Sequence, residues 1–233
     1  MTDNIPAVQK PEPIYPSTNG LPFAETYDNF YALVVIFQVL KQYLSGRQAT
    51  VLANQFFYYV RGYPNIRLDP DLMVIFDVAL EEKDIYTSWS DEEPVPSVIF
   101  EITCEATKGQ DRSFKKSIYE QLSVPEYWIF DPKGEWMEPR LIGYRLQGET
   151  YEQIKDNRSE VLGLRLEVED KLIAFYREDT GEKLLTPDEM AEVLQQEMEA
   201  RKQAEAKTQQ ALEVVEKLKQ RLYSLGVDLK PLN

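Results

Sequence analysis

The chain has 233 residues, 43% of them hydrophobic and 12% aromatic, with a formal net charge of −14, a composition that suits one globular domain with appendages and argues against a broadly basic, nucleic-acid-gripping surface. Histidine is absent, which removes Ser-His-Asp and Cys-His catalysis, histidine phosphotransfer and most zinc chemistry. The single cysteine, Cys104, forbids an internal disulfide framework and points to a reducing, cytoplasmic setting.

In chain order, residues 1–24 carry Pro6, Pro11, Pro13, Pro16 and Pro22 and predict an extended or flexible arm; no secretory leader is expected. The run DNFYALVVIFQVLKQYLSG, from Asp28 to Gly46, predicts a buried helix with Asp28 as its cap and glycine at its end. It is too short for a membrane span. Apolar β-branched and aromatic runs at 51–59, 72–78, 97–103 and 127–130 predict strands. Between the last two, Phe114, Ile118 and Leu122 recur every four residues and predict a helix with that apolar face, hence a βαβ-like crossover. The segments LIGYRL, TYEQI, LRLEV and KLIAFY, closed by a turn at Asp179-Thr180-Gly181, predict a meander that ends a domain spanning 25–183.

The remainder, 184–233, is rich in Glu, Gln, Lys and Ala. Met190, Leu194, Glu197, Arg201, Ala204, Thr208, Ala211, Val215, Leu218, Leu222 and Leu225 fall at heptad spacing. Polar residues on that seam predict one long helix or a weak coiled coil.

The chemistry centres on PSVIFEITCEAT, where Glu101 interrupts an apolar strand. A charge in such a place must be paired, neutralised or bound to a metal. Period-two alternation puts Ile99, Glu101 and Thr103 on one face and Val98, Phe100 and Ile102 on the other. Asp71 follows Pro70 into the strand LMVIF and shares a face with Met73 and Ile75, so adjacent strands would bring Asp71 and Glu101 to one ion. Two carboxylates and a carbonyl suit Mg²⁺ or Mn²⁺, which activate water for phosphodiester hydrolysis. A nuclease built as Asp, then Glu-x-Lys, would carry its lysine at 103; that residue is Thr103, and Lys115, one turn after Asp111, is the nearest substitute.

Plainer roles stand beside these. Asp71 can shape the turn after proline, Glu101 can pair with an arginine or with Lys115, Lys115 and Lys116 can be a solvated helix face, and Asp111 can be an N-cap. Asp77 is a further carboxylate on the Asp71 face, and Lys108, Arg112, Lys115 and Lys116 form a local basic cluster able to meet phosphates.

The run PSVIFEITCEATKGQDRSFKKSIYEQLSVPEYWIFDP resembles the Uma-two family, which is abundant in cyanobacteria and grouped with restriction endonucleases in the PD-(D/E)XK nuclease superfamily. The matching positions are Pro70, Asp71, Glu101, Asp111, Lys115, Tyr119, Val124, Glu126, Tyr127, Trp128, Asp131 and Pro132, within a resemblance covering about residues 25 to 183. It implies an α/β restriction-endonuclease-like fold, a mixed sheet flanked by helices, here followed by a long C-terminal helix. It also implies Mg²⁺-dependent DNA hydrolysis, with Asp71, Glu101 and the Ile102 carbonyl holding the metal and Lys115 positioning the attacking water or stabilising the phosphorane. Thr103, Asp111, Tyr119 and Glu126 would support these groups. Double-strand cleavage suggests a homodimer, with the C-terminal helix as one means. The competing reading is a non-catalytic scaffold or interaction protein that keeps the nuclease fold, which the acidic charge favours.

Overall fold

The computed structural model describes residues 13–20, 26–78, 84–90 and 93–226. The chain forms two compact units, Met1–Leu184 and Leu185–Asn233.

The first unit opens with α1 (Tyr27–Tyr43), which buries Asn29, Ala32, Leu33, Val35, Ile36, Val39 and Leu40, the spacing of one helical face. Thr26, not Asp28, flanks its start; Asp28 lies in the first turn and pairs with Lys171 at 2.9 Å. Strand β1 (Ala49–Ala53) stops at Asn54, whose φ of 50° breaks the extended run. The strand expected over 51–59 is therefore two pieces, the second being β2 (Phe57–Tyr58). Then come β3 (Arg67–Leu68), β4 (Leu72–Phe76), β5 (Tyr86–Thr87) and β6 (Val98–Ile102). A π-helical segment (Gln110–Lys115) runs into α2 (Lys116–Gln121), followed by β7 (Glu126–Phe130), β8 (Leu141–Gln147) and β9 (Thr150–Ile154). Strands β10 (Arg158–Ser159), β11 (Leu164–Glu169), β12 (Leu172–Arg177) and β13 (Lys183–Leu184) complete it.

The central sheet has the order β1-β4-β6-β7-β8-β9. Only β6 and β7 run parallel in it, as a helical crossover between them requires. The mixed sheet flanked by helices is thus the architecture the sequence implied. The expected single meander is divided: β8 and β9 extend the central sheet, while β10 to β13 form a separate antiparallel sheet. A third small sheet, β3-β2-β5, completes the unit.

Both β6 and β7 are buried along their whole length, so each face of the sheet meets its own core. On one face Val98, Phe100, Trp128 and Phe130 pack with α1 and with Leu164 and Phe175 of the second sheet. On the other, Met73, Ile75, Ile99, Tyr127 and Ile129 pack with Tyr119, Phe57 and Tyr86. Glu101, by its parity, belongs to this second face.

The crossover helix turns differently from its apolar pattern. Phe114 is 59% exposed, while Asp111, Lys115 and Tyr119 are buried. Polar partners on the sheet, described below, draw this stripe inward in place of Phe114, while Ile118 and Leu122 stay partly buried against the same core. The segment is already helical at Lys108, so Asp111 is not its N-cap.

Of the proline-rich arm, residues 13–20 are described and the rest of 1–24 lies outside the described residues. Tyr15 packs edge-on against Tyr58 at 5.1 Å and tilts against Trp89 at 5.0 Å. The Tyr58 hydroxyl donates to the Pro16 carbonyl at 2.5 Å.

The second unit is α3 (Pro187–Ser224), none of whose residues is buried. The Thr186 hydroxyl accepts from Glu189 N and the Glu189 carboxylate from Thr186 N, a reciprocal cap that fixes the helix start. It is a single long helix with Met190, Leu194, Val215 and Leu218 exposed. No helix of the described residues is long and apolar enough to cross a membrane.

Gly143 on β8 lies beneath the Trp128 ring: a Cβ there would come within 2.4 Å of it. Gly143→Ala is expected to destabilise the protein by about 1–3 kcal/mol, the usual cost of overpacking, measurable as a lowered urea midpoint at unchanged slope.

Candidate functional site

Strand pairing sets the geometry. Leu72 lies opposite Phe100 and Met73 opposite Ile99; one further residue along that register places Asp71 opposite Glu101, where Cβ atoms stand roughly 5 Å apart. Asp71 Oδ2 accepts from Ile102 N at 2.6 Å, tying the start of β4 to the end of β6. Since N–H and C=O of a strand residue point to the same side, the Ile102 carbonyl is also turned toward Asp71.

Glu101 is 1% exposed. Its Oε2 accepts from Lys115 Nζ at 2.9 Å and its Oε1 from the Tyr119 hydroxyl at 2.8 Å. Lys115 Nζ also lies 3.5 Å from Asp111 Oδ1 and 3.7 Å from Asp69 Oδ1. An ammonium thus reaches Glu101 from the helix, four residues after Asp111 and four before Tyr119. The Tyr127 hydroxyl donates to the Asp111 carbonyl at 2.8 Å, pinning the π-helical segment that carries Lys115.

Burial pushes the Glu101 carboxyl up to about 7; Lys115 pulls it down, and Asp111 adds to the rise. For Lys115, burial works to lower the pKa, but Glu101, Asp111, Asp71 and Asp69 outweigh it and hold the amine well above its ordinary value. Lys115 is therefore a fixed cation near neutrality, not a base. Burial, with Glu101 beside them, raises Tyr119 and Tyr127 well above the usual phenol range, so both remain neutral donors.

The charge balance suits a divalent cation. Four carboxylates, Asp69, Asp71, Glu101 and Asp111, act on one ammonium. Both Asp111 oxygens and Thr103 Oγ1 are buried without a hydrogen-bond partner; Lys115 neutralises Asp111 as an ion pair at 3.5 Å without forming a hydrogen bond to it. Among the described residues no three His, Cys, Asp or Glu side chains converge as a ready-made metal cage. Asp71, Glu101 and the Ile102 carbonyl are a ligand set of the kind Mg²⁺ takes, with one or two carboxylates and the remaining positions left to water and phosphate.

Other sequence candidates fall elsewhere. Glu126 is on the opposite face of the sheet from Glu101, because the two differ in strand parity: Glu101 pairs with Ile129 and Glu126 with Val98. Its carboxylate accepts from Arg145, Ser159 and Trp128 side chains and from Glu160 and Val161 N–H groups, so it fastens the second sheet and does not support the site. Asp77 lies beyond β4, exposed, with φ 61°. The basic cluster disperses: Lys108 sits over the Trp136 ring and Lys116 over Tyr144. Asp131 accepts from the N–H groups of Lys133, Gly134, Trp136 and Met137, a structural role for the Asp-Pro pair. Asp69 and Asn29 escaped the sequence reading; Asn29, from α1, donates to the Thr103 carbonyl at 3.4 Å.

The family model Uma2, described as "Putative restriction endonuclease", matches residues 26–173. A crystal structure described as a putative nuclease belonging to DUF820, from Anabaena variabilis, is similar at 14% identity and a TM-score of 0.42, covering 59% of this chain and 72% of that one. No curated protein matches the chain.

With its folded pKa raised from 4.5 to about 7, Glu101 contributes stability that is full below about pH 4.5 and lost as pH rises through 7. Metal-free protein should lose stability relative to Glu101→Gln between about pH 5 and pH 8, read from urea unfolding of both in chelator. Parallel pH curves for the two would contradict a protonatable buried Glu101.

Proposed function

We propose, from the premise that the chain belongs to the Uma2 family, that it is a Mg²⁺- or Mn²⁺-dependent endonuclease hydrolysing DNA phosphodiester bonds. The observation that carries this reading is Lys115 Nζ held 2.9 Å from Glu101 at the strand end where Asp71 lies opposite. Asp71, Glu101 and the Ile102 carbonyl would hold the ion. When bound, such an ion supplies a Lewis acid and a water of lowered pKa. Lys115, permanently charged, stabilises the negative charge that grows on the phosphate oxygens. Tyr119 orients Glu101, and Tyr127 fixes the Lys115 segment through the Asp111 carbonyl. Two copies joined through α3 would give one assembly two such sites.

A second reading is favoured by one fact: Lys115 and Tyr119 already satisfy both Glu101 oxygens, as a purely structural pair would. The protein would then be a scaffold assembling through α3.

Isothermal titration of Mn²⁺ and Mg²⁺, followed by cleavage of supercoiled DNA and of RNA, separates them. The nuclease reading expects wild type to bind metal, and Glu101→Gln and Asp71→Asn to lose it. Lys115→Met should keep metal and lose about 10²–10³-fold in cleavage rate, the usual effect of removing one charge-stabilising donor. Absence of metal binding with DNA present, together with self-association lost in Leu218→Lys, would instead establish the scaffold.

A further inference from the structure

Beside the carboxylate cluster lies a cleft of about 310 Å³ lined by Asn19, Phe56, Asn65, Arg67, Leu68 and Asp69. Asp69 links it to the site: it lines the cleft, its exposed side chain is 3.7 Å from Lys115 Nζ and its carbonyl is 3.5 Å from it.

The wall of the cleft is a preformed stacking surface. The Arg67 guanidinium lies over the Phe56 ring at 4.2 Å and near the Tyr58 ring at 5.9 Å. It also donates to the Pro64 carbonyl at 3.1 Å, which fixes its plane. The arm contributes a second wall: Asn19 follows the segment that Tyr15 and the Tyr58–Pro16 hydrogen bond hold in place. Guanidinium planes and aromatic rings stack unpaired nucleobases. Side-chain amides offer a donor and an acceptor together, and a carboxylate accepts from exocyclic amines. All three kinds of group face this cleft.

We infer that the cleft is a nucleobase subsite: it takes one unpaired base of a nucleic-acid strand, stacked on the Arg67 guanidinium that Phe56 backs and read at its edge by Asn65 and Asp69, next to the phosphate bound at Lys115. The inference rests on the nuclease reading for the location of that phosphate. Arg67 and Asp69 are two residues apart, at most about 7 Å of extended chain, so base and phosphate belong to neighbouring nucleotides. The carboxylate Asp69 disfavours a phosphate in the cleft itself and favours an amine-bearing base, adenine or cytosine over thymine. A buried salt-bridge network alone has no use for this platform.

The test is fluorescence anisotropy in chelator with labelled single-stranded hexamers of deoxyadenosine, deoxycytidine or thymidine, and an abasic hexamer of equal charge. The adenine or cytosine hexamer should bind wild type about tenfold more tightly than the abasic one, within what one stacked base contributes. Arg67→Lys, which keeps the charge and loses the plane, and Asn65→Ala, on an exposed residue, should each bring binding down to the abasic level. Glu101→Gln should keep the preference. Equal binding of abasic and base-bearing hexamers, or a preference that survives both cleft variants, overturns the subsite. A base preference without metal binding sinks the nuclease reading alone, and metal-dependent cleavage without base preference sinks the subsite alone.

Discussion

Burying the Glu101 carboxylate at the end of β6 costs several kcal/mol unless its oxygens find partners, and both partners come from one short helical segment. Lys115 and Tyr119 are four residues apart, so a single helical face delivers an ammonium to one oxygen and a hydroxyl to the other. Asp111, four residues earlier, completes the stripe and is itself pinned through its carbonyl by Tyr127. This requirement outweighs the gain from burying Phe114, which is left in water. The orientation of the crossover helix is thus a consequence of one buried charge.

The same sheet solves a second buried carboxylate by other means. Glu126 enters the opposite core and receives five donors, two of them backbone N–H groups of the turn after β10. Strand parity alone decides that one acid joins Lys115 and the other joins Arg145 and Ser159. Glu126 ends fully satisfied, as structural acids do, whereas Asp111 and Thr103, around Glu101, retain polar atoms without hydrogen-bond partners. That contrast within one sheet distinguishes a fastening point from a place suited to bind.

Electrostatics gives the site a further character. A chain of net charge −14, with four carboxylates acting on Lys115, weakens phosphate binding until positive charge is added. Under the nuclease reading the divalent ion neutralises the cluster and tightens the hold on substrate, while stacking contacts away from it act without metal. Local recognition then falls to groups outside the acidic patch, and Arg67 on its aromatic support is placed to supply it.

The sequence by itself determined a buried helix beginning near residue 28 and a long one beginning at 187, the central strands, the placing of Asp71 and Glu101 on adjacent strands and the approach of Lys115 to Glu101. These rest on periodicity, proline and glycine punctuation and a motif resemblance, all of which are local in the chain. Tertiary structure alone decided which helical face turned inward, because Phe114, Ile118 and Leu122 look like a core stripe until Glu101 is known to face the helix. It also decided that Glu126 lies on the far side of the sheet, that the run after Asn54 leaves for another sheet, and that Asp69 and Asn29 reach the site. Each depends on which chain segments become neighbours across the sheet, and spacing along the sequence carries no record of partners brought from 46 or 74 residues away.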